Sequence, residues 1–534
     1  MKYKNYPKYQ HQELDNIREL LNWTANQYGD KIAFSYEQKH TVKTISYGTF
    51  KEQVLSLGTY LYSKGYHNKC HIAVIGENSY EWIQAYFAVV CGGNVIVPLD
   101  KDFSAQEISE KLKDSGCCLL ILPQDYSEVI ELLNESNINT ITMNYLAEMT
   151  KAGDMLRQSG NIQYEQLTVQ GSDLASIVYT SGTTGKHKGV MLTHGNFMSD
   201  TLGAAANVYI EGTGLLILPL HHTFGLVASL FAGLYYGTNI YINQSLRKLA
   251  SDINVSKPNY MFTVPLLVEQ LYRKIWGQAK KQGKDRLLRI MMHMSDCLLK
   301  IGIDLRHQLF SSVHESLGGR LSLIISGGAF LEEKYIKDFD SLGITLLNGY
   351  GITECAPVVA VNRNKCIIPG SVGFPLICNN VRIADDGEIL VRGKNVMSGY
   401  YDMESETSQC LIDGWFHTGD LGKIDQYGAL HITGRKKNLI ILSNGENIAA
   451  EELESIVKSE IPYILEVIAF EMEGKIAIEV YLDPDAGEKR EQLEKDIAEL
   501  NRRLPAIKHI SNVMIRDQEF LKTTTKKIIR SSHS

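Results

Sequence analysis

Apolar positions recur at helical spacing near the start of the chain: Leu14, Ile17, Leu20, Leu21, Trp23 and Ala25 predict an amphipathic helix ending near Tyr28. A second helix is predicted over 47–64. The apolar run His71–Gly76 then predicts a strand, 79–90 a helix and Asn94–Asp100 another strand. Strand, helix and strand at this spacing form the βαβ unit of a parallel sheet. Two further short apolar runs, 174–178 and 190–194, read as strands flanking a polar, glycine-rich loop. The stretch from Gly225 to Ile242 carries no charge, but its glycines and polar residues predict a buried helix and strand rather than a membrane span. Leu321–Ile325 reads as one more short strand. From Gly370 to Gly434, short alternating runs separated by turns such as Asp385-Asp386-Gly387 predict an antiparallel β region. Beyond it, a hairpin over 465–482 and a charged helix over about 488–503 predict a small α+β domain.

At 534 residues the chain exceeds what one core organises, and two to four domains are expected. A hydrophobic content of 44% with 22% charged residues is that of a water-soluble globular protein. The net charge of −7 supplies no overall basic field for nucleic acid. Nine scattered cysteines without a C-x-x-C pair indicate neither a disulfide framework nor a zinc site, and fit a reducing cytoplasm. The first residues are polar, with no apolar core of a signal peptide. One region qualifies the purely soluble picture. Residues 272–310 interleave Arg273, Lys274, Lys280, Lys281, Arg286 and Arg289 with Trp276, Leu287, Ile290 and Met294. A basic amphipathic helix of this kind either lies on an anionic membrane surface or presents a solvated face over core.

The densest chemistry lies in the loop Tyr179-Thr180-Ser181-Gly182-Thr183-Thr184-Gly185-Lys186-His187-Lys188-Gly189. Glycines admit close backbone approach, hydroxyls and amides donate hydrogen bonds, and lysines supply positive charge, the components of a polyphosphate cradle. It is not the P-loop of nucleotide triphosphatases, whose glycine spacing differs and which opens a helix. An ordinary polar turn is the competing reading. The pair His221-His222, in Pro219-Leu220-His221-His222-Thr223-Phe224, offers a metal or acid–base site, with no carboxylate or thiolate nearby in sequence.

The whole string resembles the signature loop of the adenylate-forming superfamily, which includes acyl-CoA synthetases, luciferase and peptide-synthetase adenylation domains; His187 stands where those proteins usually carry Pro. At least five more blocks stand in the family's order, one before this loop and four after it: Glu77–Trp82 with Pro98–Asp100, Leu218–Gly225, Ser326-Gly327-Gly328-Ala329, Asn348-Gly349-Tyr350-Gly351-Ile352-Thr353-Glu354, and Gly414–Asp420 with Gly434–Asn438. Leu317–Leu321 is similar to bacterial long-chain fatty acyl-CoA synthetases in particular. The resemblance implies an α/β fold: a large N-terminal domain of two αβ layered subdomains plus a distorted antiparallel β subdomain, and a small mobile α+β C-terminal domain. The boundary is placed at 1–435 and 436–534.

By the same resemblance, Thr180, Ser181, Gly182, Thr183, Thr184, Gly185 and Lys188 would hold the β- and γ-phosphates of ATP, with Thr183 among the catalytic residues. Gly328, Ala329, Asn348, Tyr350 and Gly351 would bind adenine, Thr353 phosphate, and Glu354 magnesium. Asp420 would grip the ribose, Arg435 ribose or phosphate, and His222 would line the carboxylate pocket. Lys437 is the implied hinge. Lys527 is the implied catalytic lysine, with its neighbour Lys526 the alternative. The block from Glu77 to Asp100 is expected to be structural. No acid stands near His222 in sequence to bind an amino group, so a fatty acid is expected rather than an amino acid. The acceptor thiol would be that of coenzyme A or of an acyl carrier protein in trans; a non-catalytic nucleotide-binding relative is the remaining alternative. Expected cofactors are ATP, Mg²⁺ and coenzyme A as co-substrate, in a cytoplasmic protein with a candidate peripheral membrane contact.

Overall fold

The computed structural model describes residues 8–134, 136–180, 187–442, 447–484, 490–522, 528 and 530. The chain divides into two compact units. The first comprises residues 1–369, 373–380 and 392–416; the second comprises 370–372, 381–391 and 417–534.

In the first unit the predicted βαβ pattern appears as strands His71–Ile75 and Val95–Leu99 around the helix Tyr80–Val90. Ser79 caps that helix by accepting a hydrogen bond from the Trp82 amide, the residue type and position such a start demands. Both strands are almost wholly buried and pair in parallel, as continuous apolar runs covered by helices do. Leu174–Thr180 adds to this sheet in parallel and then turns back, so that Lys188–Thr193 pairs with it antiparallel. The loop expected to cradle phosphate therefore joins two antiparallel strands.

A second sheet of the same unit brings Tyr260–Thr263, Leu323–Ser326 and Thr345–Gly351 side by side in parallel, before Val358–Val361 turns back against the last. The core of this half gathers Met261, Phe262, Ile324, Leu346 and Leu347 under Phe310 and Phe339. The charge-free stretch is buried as expected. It forms a π-helix, Phe224–Phe231, continued by an α-turn, Ala232–Tyr235, and the strand Asn239–Ile242. No helix among the described residues is long and apolar enough to cross a membrane.

The basic segment is two helices rather than one, Pro265–Lys281 and Asp285–Lys300. The break falls at Gly283, whose φ of +66° an L side chain rarely adopts. On the second helix Leu288 and Met292 face the core, whereas Leu287, Ile290 and Met294 are each more than half exposed.

The second unit contains the antiparallel pair formed by residues 417–424 and Leu430–Arg435. It also holds a three-stranded sheet in which Ile464–Met472 and Lys475–Leu482 form the predicted hairpin and Ile510–Arg516 joins in parallel. The helices Ala450–Glu460 and Arg490–Arg503 accompany this sheet. Leu493, Ile497 and Leu500 are the buried stripe of the latter, as their spacing predicts.

Candidate active site

Within the first unit, three segments converge on one apolar cavity. Ser326, Gly327 and Gly328 follow one strand, and Gly349, Tyr350 and Gly351 end the next. Phe224 at the start of the π-helix closes the space between them. These glycines are required by close approach. A Cβ at 327 would stand 3.0 Å from the Phe224 ring, and one at 351 would fall 2.2 Å from the Pro357 carbonyl oxygen. Beside this end, Ser326 and Asn348 occupy facing register positions, and Ser326 Oγ and Asn348 Oδ1 are buried without a hydrogen-bond partner in the protein. Orphaned polar atoms beside a glycine-lined slot fit a flat, polar ring such as a nucleobase. Ala329, also expected at this turn, is exposed.

Glu354 sits in a single 3₁₀ turn, Thr353–Cys355, directly after this strand. Its Oε1 accepts a hydrogen bond of 2.8 Å from the Tyr400 hydroxyl. Lys188 places its ammonium 4.7 Å from the centre of the Tyr400 ring. Lys188 and Glu354, 166 residues apart by their numbers, are thus brought to one tyrosine, the first over its ring and the second at its hydroxyl. Burial, together with the negative charge of Glu354, holds the Tyr400 phenol far above its ordinary range, so it remains a donor. One carboxylate with a free oxygen is what a magnesium ion bound mainly through phosphate oxygens and water requires. Thr180 pairs with Lys188 at the mouth of the hairpin. Ser181, Gly182, Thr183, Thr184 and Gly185, between them, lie outside the described residues, as do Lys526 and Lys527.

The loop that carries His222 is held by partners that its sequence neighbourhood does not announce. The buried side chain of Asn78 donates to the Leu218 carbonyl at 2.8 Å and accepts from the Leu220 amide at 3.0 Å. His221 is buried, and its Nε2 lies 3.4 Å from Asp100 Oδ2; its ring packs on that of His222 with centroids 4.2 Å apart. A carboxylate therefore does accompany the histidine pair, delivered from the end of the strand Val95–Leu99 rather than from nearby sequence. The block from Glu77 to Asp100, expected to be purely structural, supplies both Asn78 and Asp100 to this loop. Asp100, His221 and His222 also bring their ligand atoms within 4.8 Å of one another.

In the second unit Asp420 is buried, and Arg435, its register partner across the antiparallel pair, donates Nε to its Oδ1 at 2.8 Å. The Thr418 hydroxyl accepts from the Asp420 amide, and Glu388 accepts from the Gly419 amide, which fixes the turn that presents the carboxylate. Lys437 is the middle residue of a short 3₁₀ turn, Lys436–Asn438, directly after Arg435. Burial and the adjacent Arg435 lower its pKa from the ordinary lysine value.

The model of the AMP-binding enzyme family matches residues 21–401, and the chain belongs to that family. A long-chain-fatty-acid–CoA ligase of Mycobacterium bovis is 31% identical over 461 residues, covering 82% of this chain and 77% of the relative. A human long-chain-fatty-acid–CoA ligase is 29% identical over 459 residues, 77% of this chain and 65% of its own. Among solved structures, o-succinylbenzoate coenzyme A synthetase of Bacillus subtilis, in complex with ATP and a magnesium ion, superposes with a TM-score of 0.74. It is 23% identical and covers 96% of this chain and 98% of its own. A Mycobacterium tuberculosis fatty acyl-CoA synthetase gives a TM-score of 0.68 at 22% identity, with 97% of both chains covered. These likenesses establish an adenylate-forming α/β fold with a large N-terminal and a smaller C-terminal domain.

Proposed function

We propose that this protein is an AMP-forming fatty acyl-CoA synthetase acting on long-chain acids. The observation that carries this reading is the apolar cavity that joins the glycine-lined slot of 326–328 and 349–351 to the apolar side chains of Phe224, Ala228, Ala232 and Tyr236. A base fits the polar, glycine end, and an alkyl chain fits the rest.

The fatty carboxylate attacks the α-phosphorus of ATP, the bond to the bridging oxygen breaks, and pyrophosphate leaves. No enzyme nucleophile is needed, so the protein contributes position and charge. Thr180 and Lys188, with the loop between them, would hold the departing phosphates; Glu354 would hold magnesium, which when bound would supply charge to neutralise them. Lys527 bridges the carboxylate and α-phosphate oxygens, and Asp420 accepts from the ribose hydroxyls. In the second half-reaction the thiolate of coenzyme A attacks the acyl carbonyl and AMP leaves. We assign adenylation to residues 1–435 and the exchange of half-reactions to a swing of 436–534 about Lys437.

The nine cysteines, none of them in a disulfide, support a reducing, cytoplasmic setting. The exposed Leu287, Ile290 and Met294, beside Arg286 and Arg289, support peripheral contact with an anionic bilayer. Co-flotation with phosphatidylglycerol vesicles, lost on replacing the three apolar residues by serine, checks that contact.

Pyrophosphate release measured with acids from acetate to oleate, with and without coenzyme A, tests the central reading. A stoichiometric burst without coenzyme A that becomes turnover with it, strongest for the long acids, is expected. A burst that coenzyme A cannot convert would transfer the acceptor role to a carrier protein. No pyrophosphate with any acid would sink the proposal.

A further inference from the structure

Phe224, Ala228, Ala232 and Tyr236 follow one another at four-residue intervals along the helix beside the cavity, and all four line it. The row starts against the glycine slot, where Phe224 abuts Gly327. It then presents two alanines, which leave space, and ends in a large ring. At 1.5 Å per residue the row spans roughly 18 Å, less where the π-turns are wider. The cavity thus has a polar end, an open middle and a tyrosine at its far end.

Tyr236 is fastened there. Its hydroxyl donates toward the Ala205 and Val208 carbonyls, at 2.7 and 3.1 Å, where the helix His194–Asn207 runs out of backbone partners. Tyr209, 43% exposed, packs edge-on against it at 5.2 Å between centroids, and Tyr9 packs on Tyr209 in turn. The N-terminal segment crosses the outside of this cluster. The Tyr9 amide donates to the Ala206 carbonyl, and the Gln12 amide to the Tyr235 hydroxyl. Among the described residues, Tyr209 and Tyr9 thus form an aromatic layer on Tyr236, and Tyr209 reaches solvent.

We propose that Tyr236 is the end stop of the acyl pocket and sets the longest chain the enzyme accepts, with residues 9–12 bracing it from outside. This rests on the acyl reading of the cavity given above. Tyr236 acts by occupying space, and its latch to two carbonyls makes the stop rigid rather than displaceable.

The test compares kcat/KM for octanoate, palmitate, oleate and a very-long-chain acid in the wild type, Tyr236→Ala, Tyr236→Phe and Ala232→Phe. Tyr236→Ala is expected to raise the preference for the longest acid over octanoate by about tenfold, the scale on which apolar pockets discriminate by chain size. Tyr236→Phe keeps the ring without the latch and should shift the preference less. Ala232→Phe moves the stop inward and should cut palmitate and oleate about tenfold more than octanoate. An active wild type whose length profile is unchanged in Tyr236→Ala overturns the inference. If that variant does not fold, an unchanged profile in Ala232→Phe does so. A wild type that releases no pyrophosphate with any acid fails the proposed function instead.

Discussion

The two candidate ligand-gripping sites are built in opposite ways. In the second unit, Asp420 and Arg435 are set by neighbours in sequence and register: two antiparallel strands place them face to face, and Thr418 and Glu388 fix the turn. In the first unit, the loop that carries His222 is set by Asn78, and His221, on which the His222 ring packs, lies beside Asp100; 140 residues separate Asn78 from the carbonyl it holds. A locally built site tolerates loss of one partner because the strands still define it. A site assembled across the fold depends on each long-range contact.

That contrast is sharpest where a charge must be held. Glu354→Ala removes the carboxylate assigned to magnesium and should lower the rate of pyrophosphate release about a thousandfold, an effect of the size attached to losing one charge-stabilising group. Tyr400→Phe removes only the hydrogen bond to Glu354 and should cost about tenfold or less. Equal losses in the two variants would place the chemistry elsewhere.

Asn78→Ala leaves the Leu218 carbonyl and the Leu220 amide buried without their partner, which costs about 2–5 kcal/mol in loop stability. The expected outcome is a fall in kcat of about a hundredfold with the KM for ATP nearly unchanged. Asp420→Ala, the comparison in the local site, should instead raise the KM for ATP about tenfold and leave that for the fatty acid alone. If Asn78→Ala behaves like Asp420→Ala, the long-range clamp has no special role.

A pH titration probes the first unit again. His194 is buried, its Nδ1 accepts from the Ile17 amide at 3.3 Å, and burial lowers its pKa from 6.5 to about 4. Its folded-state pKa lies below the unfolded one, so the stabilisation is complete above pH 6.5 and is lost as pH falls toward 4. The loss amounts to on the order of 3 kcal/mol. Urea midpoints measured across this window should fall for the wild type and much less for His194→Gln.

These cases also show what a sequence reveals and what it hides. The βαβ unit, the buried charge-free stretch and the C-terminal hairpin were legible because apolar periodicity is local. The residues expected to touch nucleotide were legible because each stands in a short string of glycine, hydroxyl and charge. Asn78, Asp100, Tyr400 and Tyr236 carried no such signal. Each is an ordinary residue whose importance arises from a partner delivered by another part of the fold. The split of the basic segment at Gly283 was hidden for another reason: amphipathic spacing runs on through a break that backbone conformation alone imposes.

The smallest predicted effect concerns a charge that is absent. Asp200 is fully buried on the helix His194–Asn207, and its Oδ1 accepts from the Val358 amide at 3.0 Å and from Asn395 Nδ2 at 3.1 Å, while Oδ2 has no partner. Burial raises its pKa well above the carboxylate range, because a desolvated anion without a cation beside it is costly. The expected state of the group is therefore a neutral acid that accepts through one oxygen. Asp200→Asn preserves that acceptor, the size and the neutrality, and should change stability by about 1 kcal/mol or less. Asp200→Leu strands two donors and should cost about 2–4 kcal/mol. Unfolding midpoints of the two variants decide the point: an asparagine variant as damaged as the leucine one would mean that Asp200 is ionised in the folded protein.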